Sequence, residues 1–150
     1  MARYGIEDLQ INTLRDLVRA NPRMYIGGEP QGLFLASNLS GELLFRGCKA
    51  VQVERACNWW KVTADTDWFR DEAGRISSDA FTVLRFPERG LNAIRSEPVI
   101  AAIADAVVTI GADGVKWIVG NETAWPTPAA FSPLPASLEP GRCLIFHLAT

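Results

Sequence analysis

The sequence predicts an α+β domain, a two-layer sandwich with helices packed on one face of a mixed, mainly antiparallel sheet. Three observations carry this. Leu35, Leu39 and Leu43 recur at four-residue spacing, which puts them on one face of a helix. Two pairs of alternating apolar segments flank the turn words Cys57-Asn58 and Asp113-Gly114, as the arms of hairpins do. A last apolar run, Cys143 to Leu148, adds a further strand.

The elements follow in chain order. Leu9, Leu14, Leu17 and Val18 share a face of a first helix that runs to about Ala20, and Pro22 cannot donate the backbone bond that would prolong it. Met24, Tyr25 and Ile26 then need burial before the Gly27-Gly28 turn. Leu33 to Phe45 is the second helix; Gly41 weakens it and Gly47 ends it. Val51 and Val53 alternate in a strand that returns through Trp60, Val62 and Ala64. Asp65 to Ser78 reads as a loop or lid, and Phe81 to Phe86 as a short strand or a helical turn. Ser96 as N-cap and Pro98 in the first turn start a helix that runs through Ile103 and Ala106 and ends by Val108. Thr109-Ile110 opens a strand, and Val115, Trp117 and Val119 return from the Asp113-Gly114 turn. Trp125 to Pro140 holds five of the nine prolines and is expected to be an extended loop packed by its own side chains.

Composition bounds the function. A chain of 150 residues with 48% hydrophobic residues fits one domain, residues 1–150, with a sizeable core. Fifteen basic against seventeen acidic residues build no positive field for phosphate backbones, so no nucleic-acid partner is expected. The apolar run from Val99 to Ile110 is broken by Asp105 and too short to span a bilayer, and no signal pattern precedes it. A soluble, cytoplasmic protein without a membrane partner is the expectation. Cys48, Cys57 and Cys143 lack metal-ligand spacing and are read as reduced core residues. His147, the only histidine, has no partner at readable spacing and is read as structural. Trp59 and Trp60 are neighbours on a strand and should face opposite sides of the sheet.

The words Asn21-Pro22-Arg23-Met24-Tyr25-Ile26-Gly27-Gly28 after a helix resemble the start of the gyrase B-type ATPase domain of the GHKL superfamily. Gly47-Cys48-Lys49 before an alternating strand, Gly90-Leu91-Asn92-Ala93-Ile94 before a helix, Asp113-Gly114-Val115-Lys116 and Gly141-Arg142-Cys143-Leu144-Ile145-Phe146 extend the resemblance from Asn12 onward. It implies the GHKL (Bergerat) fold, with ATP or ADP and magnesium held on one face of the sheet under a lid. By this resemblance Asn38 stands at the magnesium ligand, Asp65 at the acceptor of the adenine amino group, and Gly90, Asn92 and Arg95 at the phosphate lid.

The resemblance also shows what has changed. The family's helix carries a glutamate as general base four residues before its asparagine; here Phe34 stands there, and in the alternative register the pair becomes Leu39 and Leu43. Either register lacks the base, so no catalytic residue is assigned. Thr66 and Trp68 replace the glycines after the adenine-binding aspartate, and Ala93 and Arg95 replace lid glycines. Two readings follow: a degenerate, stand-alone gyrase B-like domain without ATP hydrolysis that keeps weak adenine-nucleotide binding, or a protein-interaction module that uses the fold as a scaffold. The second places its contact surface on exposed tryptophans and the Trp125 to Pro140 loop, with a protein partner or a homodimer. A working ATPase with Glu42 as a relocated base is a third reading, against the default of an exposed helical glutamate.

Overall fold

The computed structural model describes residues 14–20, 23, 31–81 and 94–149. Most of the Asn21 to Gly28 signature, the segment Thr82 to Ala93 and the lid residues Gly90 and Asn92 lie outside the described residues. The helices are α1 (Leu14–Ala20), α2 (Gln31–Phe45) and α3 (Ser96–Ile103), with a 3-10 turn at Ser78–Phe81. The strands are β1 (Val51–Ala56), β2 (Trp59–Ala64), β3 (Ala106–Gly111), β4 (Gly114–Val119) and β5 (Arg142–His147).

These strands form one sheet in the order β1-β2-β5-β3-β4, and every pairing among them is antiparallel. The last strand thus enters the middle of the sheet, with Val62 opposite Leu144 on one side and Val108 opposite Ile145 on the other. Its two neighbours satisfy its backbone, so an apolar run can be buried there without orphaned amides. The α+β class and the helix-covered sheet agree with the expectation.

The helix-side core gathers Leu35, Leu39 and Leu43 of α2, Val99 and Ile100 of α3, and Trp60, Val62, Leu144 and Phe146 from the sheet. Gly32 lets α2 sit directly on the sheet, since a Cβ there would overlap the Trp60 indole. Alternation sends the neighbouring side chains to the other face. There Trp59, Val108, Ile110, Cys143 and Ile145 pack with Phe131, Trp125, Leu134 and Leu138. The proline-rich segment is therefore the cover of the second face. Trp59 and Trp60 do face opposite sides, and both are buried.

Several boundaries differ from the sequence reading, each for a physical reason. α3 stops at Ile103, because Ala104 is already extended and Asp105 donates its N–H to the His147 carbonyl, starting β3 three residues before Thr109. β3 is buried on both faces, which hides its two-residue period. Leu17 is 41% exposed, so Val18 rather than Leu17 marks the core face of α1. The Asp65 to Ser78 segment is no lid. Asp67 and Phe69 are buried, Asp67 accepts from the Phe69 amide, and Arg70 bridges to Ile76. All three cysteines are free, but Cys57 is exposed, in the left-handed turn position of the β1–β2 hairpin (φ 54°), so it is not a core residue. No helix of the described residues is long and apolar enough to cross a membrane.

Candidate functional site

The resemblance places the phosphate lid at Gly90 to Arg95, and of these only Arg95 lies among the described residues, at the start of α3. Its first helical residue is Ser96, and the N-cap is Arg95 at φ −75° and ψ 143°, which offers no side-chain cap. Ser96 was expected as the N-cap; its hydroxyl instead is buried and makes no hydrogen bond of ordinary geometry. The cap comes from α2. The Ser96 N–H donates to both carboxyl oxygens of Glu42, at 3.0 and 3.1 Å.

Glu42 is buried rather than exposed on the helix surface, at 2% of its free area. Burial first, and the charge of Glu97 second, push its carboxyl up to about 7, outweighing the bonds from Ser96 and the attraction of Arg46. Glu97 is fully buried. Its Oε1 accepts from Arg46 at 3.1 Å and from Arg95 at 3.3 Å, and its Oε2 faces Arg95 Nε at 3.4 Å. Arg95 was expected to meet phosphate; its guanidinium is paired within the chain instead. A helix N-terminus favours an anion through its free N–H groups and its dipole. Here two glutamates already stand at that end.

Asp65 follows β2, and its Oδ1 accepts the N–H groups of Lys49 and Ala50 at 3.1 and 3.2 Å. It closes the connection between α2 and β1, which is the turn role, so an oxygen the resemblance assigns to adenine is engaged with backbone. Asn38 lies on the exposed side of α2, opposite the buried Leu35, Leu39 and Leu43, with Phe34 one turn before it. Magnesium needs carboxylate or phosphate oxygens; Asn38 brings one amide on the exposed side, and Glu42, one turn on, is buried and bonded to the Ser96 amide. The residues present do not fit the ion. Among the described residues no group of three or more His, Cys, Asp or Glu is placed to hold a metal. Of the five residues assigned to ligand, Asn38, Asp65 and Arg95 are described, and each is turned to solvent or tied within the chain.

Asp67, two residues beyond Asp65, has a different role that sequence reasoning missed. Arg142, the first residue of β5, is fully buried and donates to Asp67 through Nε (2.6 Å) and Nη2 (3.1 Å), to Asp113 (2.6 Å) and to Thr109 Oγ1 (3.1 Å). Its guanidinium carbon lies 4.3 Å from the centre of the Phe69 ring. Burial works against this charge, and the bonds to Asp67 and Asp113 more than offset it, so Arg142 is held above its ordinary range. Gly111 is required here, since a Cβ would meet the guanidinium. The available signal was an arginine between the loop glycine and the apolar Cys143 to Phe146 run.

His147 is not without a partner. Its Nδ1 lies 3.0 Å from Asp105 Oδ2, and its ring contacts Trp59 and Trp125 at centroid distances of 5.2 and 4.9 Å. These contacts tie the end of β5 to the start of β3 and to the second-face cover, which is a structural role.

No protein-family profile matches the sequence, and no curated protein matches it. Solved structures do. The B subunit of the DNA gyrase from Myxococcus xanthus matches over 91% of this chain and 43% of its own, with 18% identity and a TM-score of 0.54. The 43K ATPase domain of Thermus thermophilus gyrase B, solved with an aminocoumarin, matches over 90% of this chain and 39% of its own, with 15% identity and a TM-score of 0.48. The chain thus spans less than half the length of either. The likeness to the first is one of fold, and the fold expected from the Asn21 to Gly28 resemblance is the one found.

Proposed function

We propose that this chain uses the gyrase B ATPase fold without hydrolysing ATP, and that its adenine-nucleotide binding is weak at most. One observation carries the reading: the Glu42 carboxyl takes the first amide of α3, the helix behind the lid, so the leading donor of this helix end is not free for an anion. Glu97 beside it adds a second carboxylate, and Arg95, the nearest basic candidate, is bonded to Glu97. A phosphate entering this end would meet acidic groups and find the leading donor taken. Phe34 at the position of the general base supports the same reading from the sequence.

The test is a titration with ATP and with ADP, each with magnesium, followed by thermal denaturation. A ligand at a hundred times its dissociation constant adds about 2.7 kcal/mol, a shift of several degrees for a chain of this size. No shift at millimolar nucleotide is expected; saturable stabilisation in the micromolar range would overturn the reading.

A second reading, the interaction scaffold, is favoured by a different surface from the one first expected. The five tryptophans are buried or half-buried, and the Trp125 to Pro140 segment is consumed in covering the sheet. Leu33, Phe34 and Leu44 are instead exposed on α2, a helix whose single ionisable residue, Glu42, faces inward. Two such faces meet without like-charge repulsion, so the occupant proposed is a second copy of this chain. Molar mass by light scattering should show a dimer that Leu33→Lys with Leu44→Lys converts to monomer; a monomeric parent at every concentration removes this reading.

A further inference from the structure

The junction of α2 and α3 holds two buried carboxyls; Arg46 and Arg95 bond one of them, Glu97, and the charge of Arg46 also attracts the other, Glu42. Arg46 from α2 and Arg95 from the approach to α3 both bond Glu97. Glu42 has the Ser96 amide, with the Ser96 hydroxyl beside it and unbonded. Of the other described elements packed on α3, α1 carries Asp16 and Arg19. Arg19 of α1 donates to the Ala102 carbonyl near the far end of α3, and the 3-10 turn presents the apolar Ala80 and Phe81.

We propose that Glu42 is a proton-operated latch between α2 and α3: protonated, it holds the first turn of α3 without opposing Glu97, and ionised, it sets a second negative charge against Glu97 in a dry junction. The geometry supplies each part. Both Glu42 oxygens reach one backbone amide, so the carbonyl oxygen of the neutral acid keeps that bond. The proton on the other oxygen has a buried hydroxyl beside it, that of Ser96, as an acceptor inside the junction. In the ionised form both oxygens still crowd the one amide, and the bonds available do not offset the lost hydration of the charge. The raised carboxyl of Glu42, at about 7, puts this change near neutrality.

The consequence is regulation of how firmly the start of α3 is held. As pH rises through neutrality the α2–α3 junction loosens, and the amides of the first turn of α3 open more often; as pH falls they close. This holds whether or not nucleotide binds, so its failure and the failure of the nucleotide reading are separate results.

Two measurements test it on the whole protein. Carbon-13 NMR of the glutamate carboxyl carbons should show one group titrating near 7, and Glu42→Gln should remove that signal and no other. Hydrogen exchange, expressed as protection relative to intrinsic rates, should fall in α3 between pH 6 and 8.5 in the parent. Glu42→Gln keeps an acceptor for Ser96 without the charge, so its protection should stay level and exceed the parent's roughly tenfold at the alkaline end. If every glutamate carboxyl titrates below pH 5.5, or if the glutamine variant shows the parent's pH dependence, the latch does not exist. Should the variant fail to fold, the carbon-13 titration of the parent alone still decides.

Discussion

Glu42 and Ser96, 54 residues apart in sequence, are joined by hydrogen bonds from one backbone amide to both oxygens of one buried carboxyl. This relationship fixes α3 against α2 and caps the leading amide of α3.

The pH dependence of stability follows from the sign of the shift. The folded carboxyl of Glu42 sits at about 7 and its ordinary value is 4.5, so between these values the folded state binds the extra proton. Stability from this group is therefore greatest below about pH 4.5, declines as pH rises to about 7, and is level beyond. The difference between the parent and Glu42→Gln in urea denaturation isolates it: the variant should gain on the parent by up to about 3 kcal/mol between pH 4.5 and 8. Glu42→Ala removes the acceptor and leaves a gap, and should cost about 2–4 kcal/mol at acid pH.

The Arg142 network makes a second prediction. Replacing Arg142 with methionine strands Asp67 as a buried charge, which should cost about 3–5 kcal/mol; replacing Asp67 with asparagine as well should recover part of that loss. Gly111→Ala should destabilise by about 1–3 kcal/mol in the parent, because its methyl group would meet the guanidinium, and much less where Arg142 is alanine. Equal costs in the two backgrounds would show that the contact does not govern this glycine.

Asp65 is predicted to act through the backbone rather than through ligand. Asp65→Asn keeps an acceptor for Lys49 and Ala50 and should change stability by less than about 0.5 kcal/mol, while Asp65→Ala should cost about 1 kcal/mol. Denaturation curves of the two variants, with and without nucleotide, check this. A change in nucleotide response on Asp65→Asn would restore the adenine-acceptor role.

Phe131 tests the second face of the sheet. It is buried over that face, with the Lys61 ammonium 5.6 Å from its ring centre. Phe131→Ala should cost about 3–4 kcal/mol and raise the binding of an apolar dye, since Ile110, Cys143 and Ile145 lose cover. A loss below 1 kcal/mol would mean that the proline-rich segment is not a structural layer.

The parts of the fold legible in the sequence are those with local signals. The four-residue spacing of Leu35, Leu39 and Leu43 located α2, and the Cys57-Asn58 and Asp113-Gly114 turns located both hairpins. What was hidden depends on distant partners. No local pattern gives Glu42 its bond to Ser96, though its place seven residues after Leu35 and three after Leu39 puts it on the core side of α2. Arg142 and Asp67 are 75 residues apart, and only the insertion of β5 beside β2 brings them together. Asn38, Asp65 and Arg95 were legible by their position in a pattern, while the bonds of Asp65 and Arg95 are set by neighbours the pattern does not specify.

Phosphate release from ATP with magnesium, measured on the parent and on Glu42→Gln purified side by side, tests the central claim most directly. With Glu42 committed to the α3 amide and no glutamate at Phe34, release should equal the buffer background in both proteins. Release by the parent that survives repeated purification and is lost in Glu42→Gln would contradict the account, and would make Glu42 the base of a working ATPase.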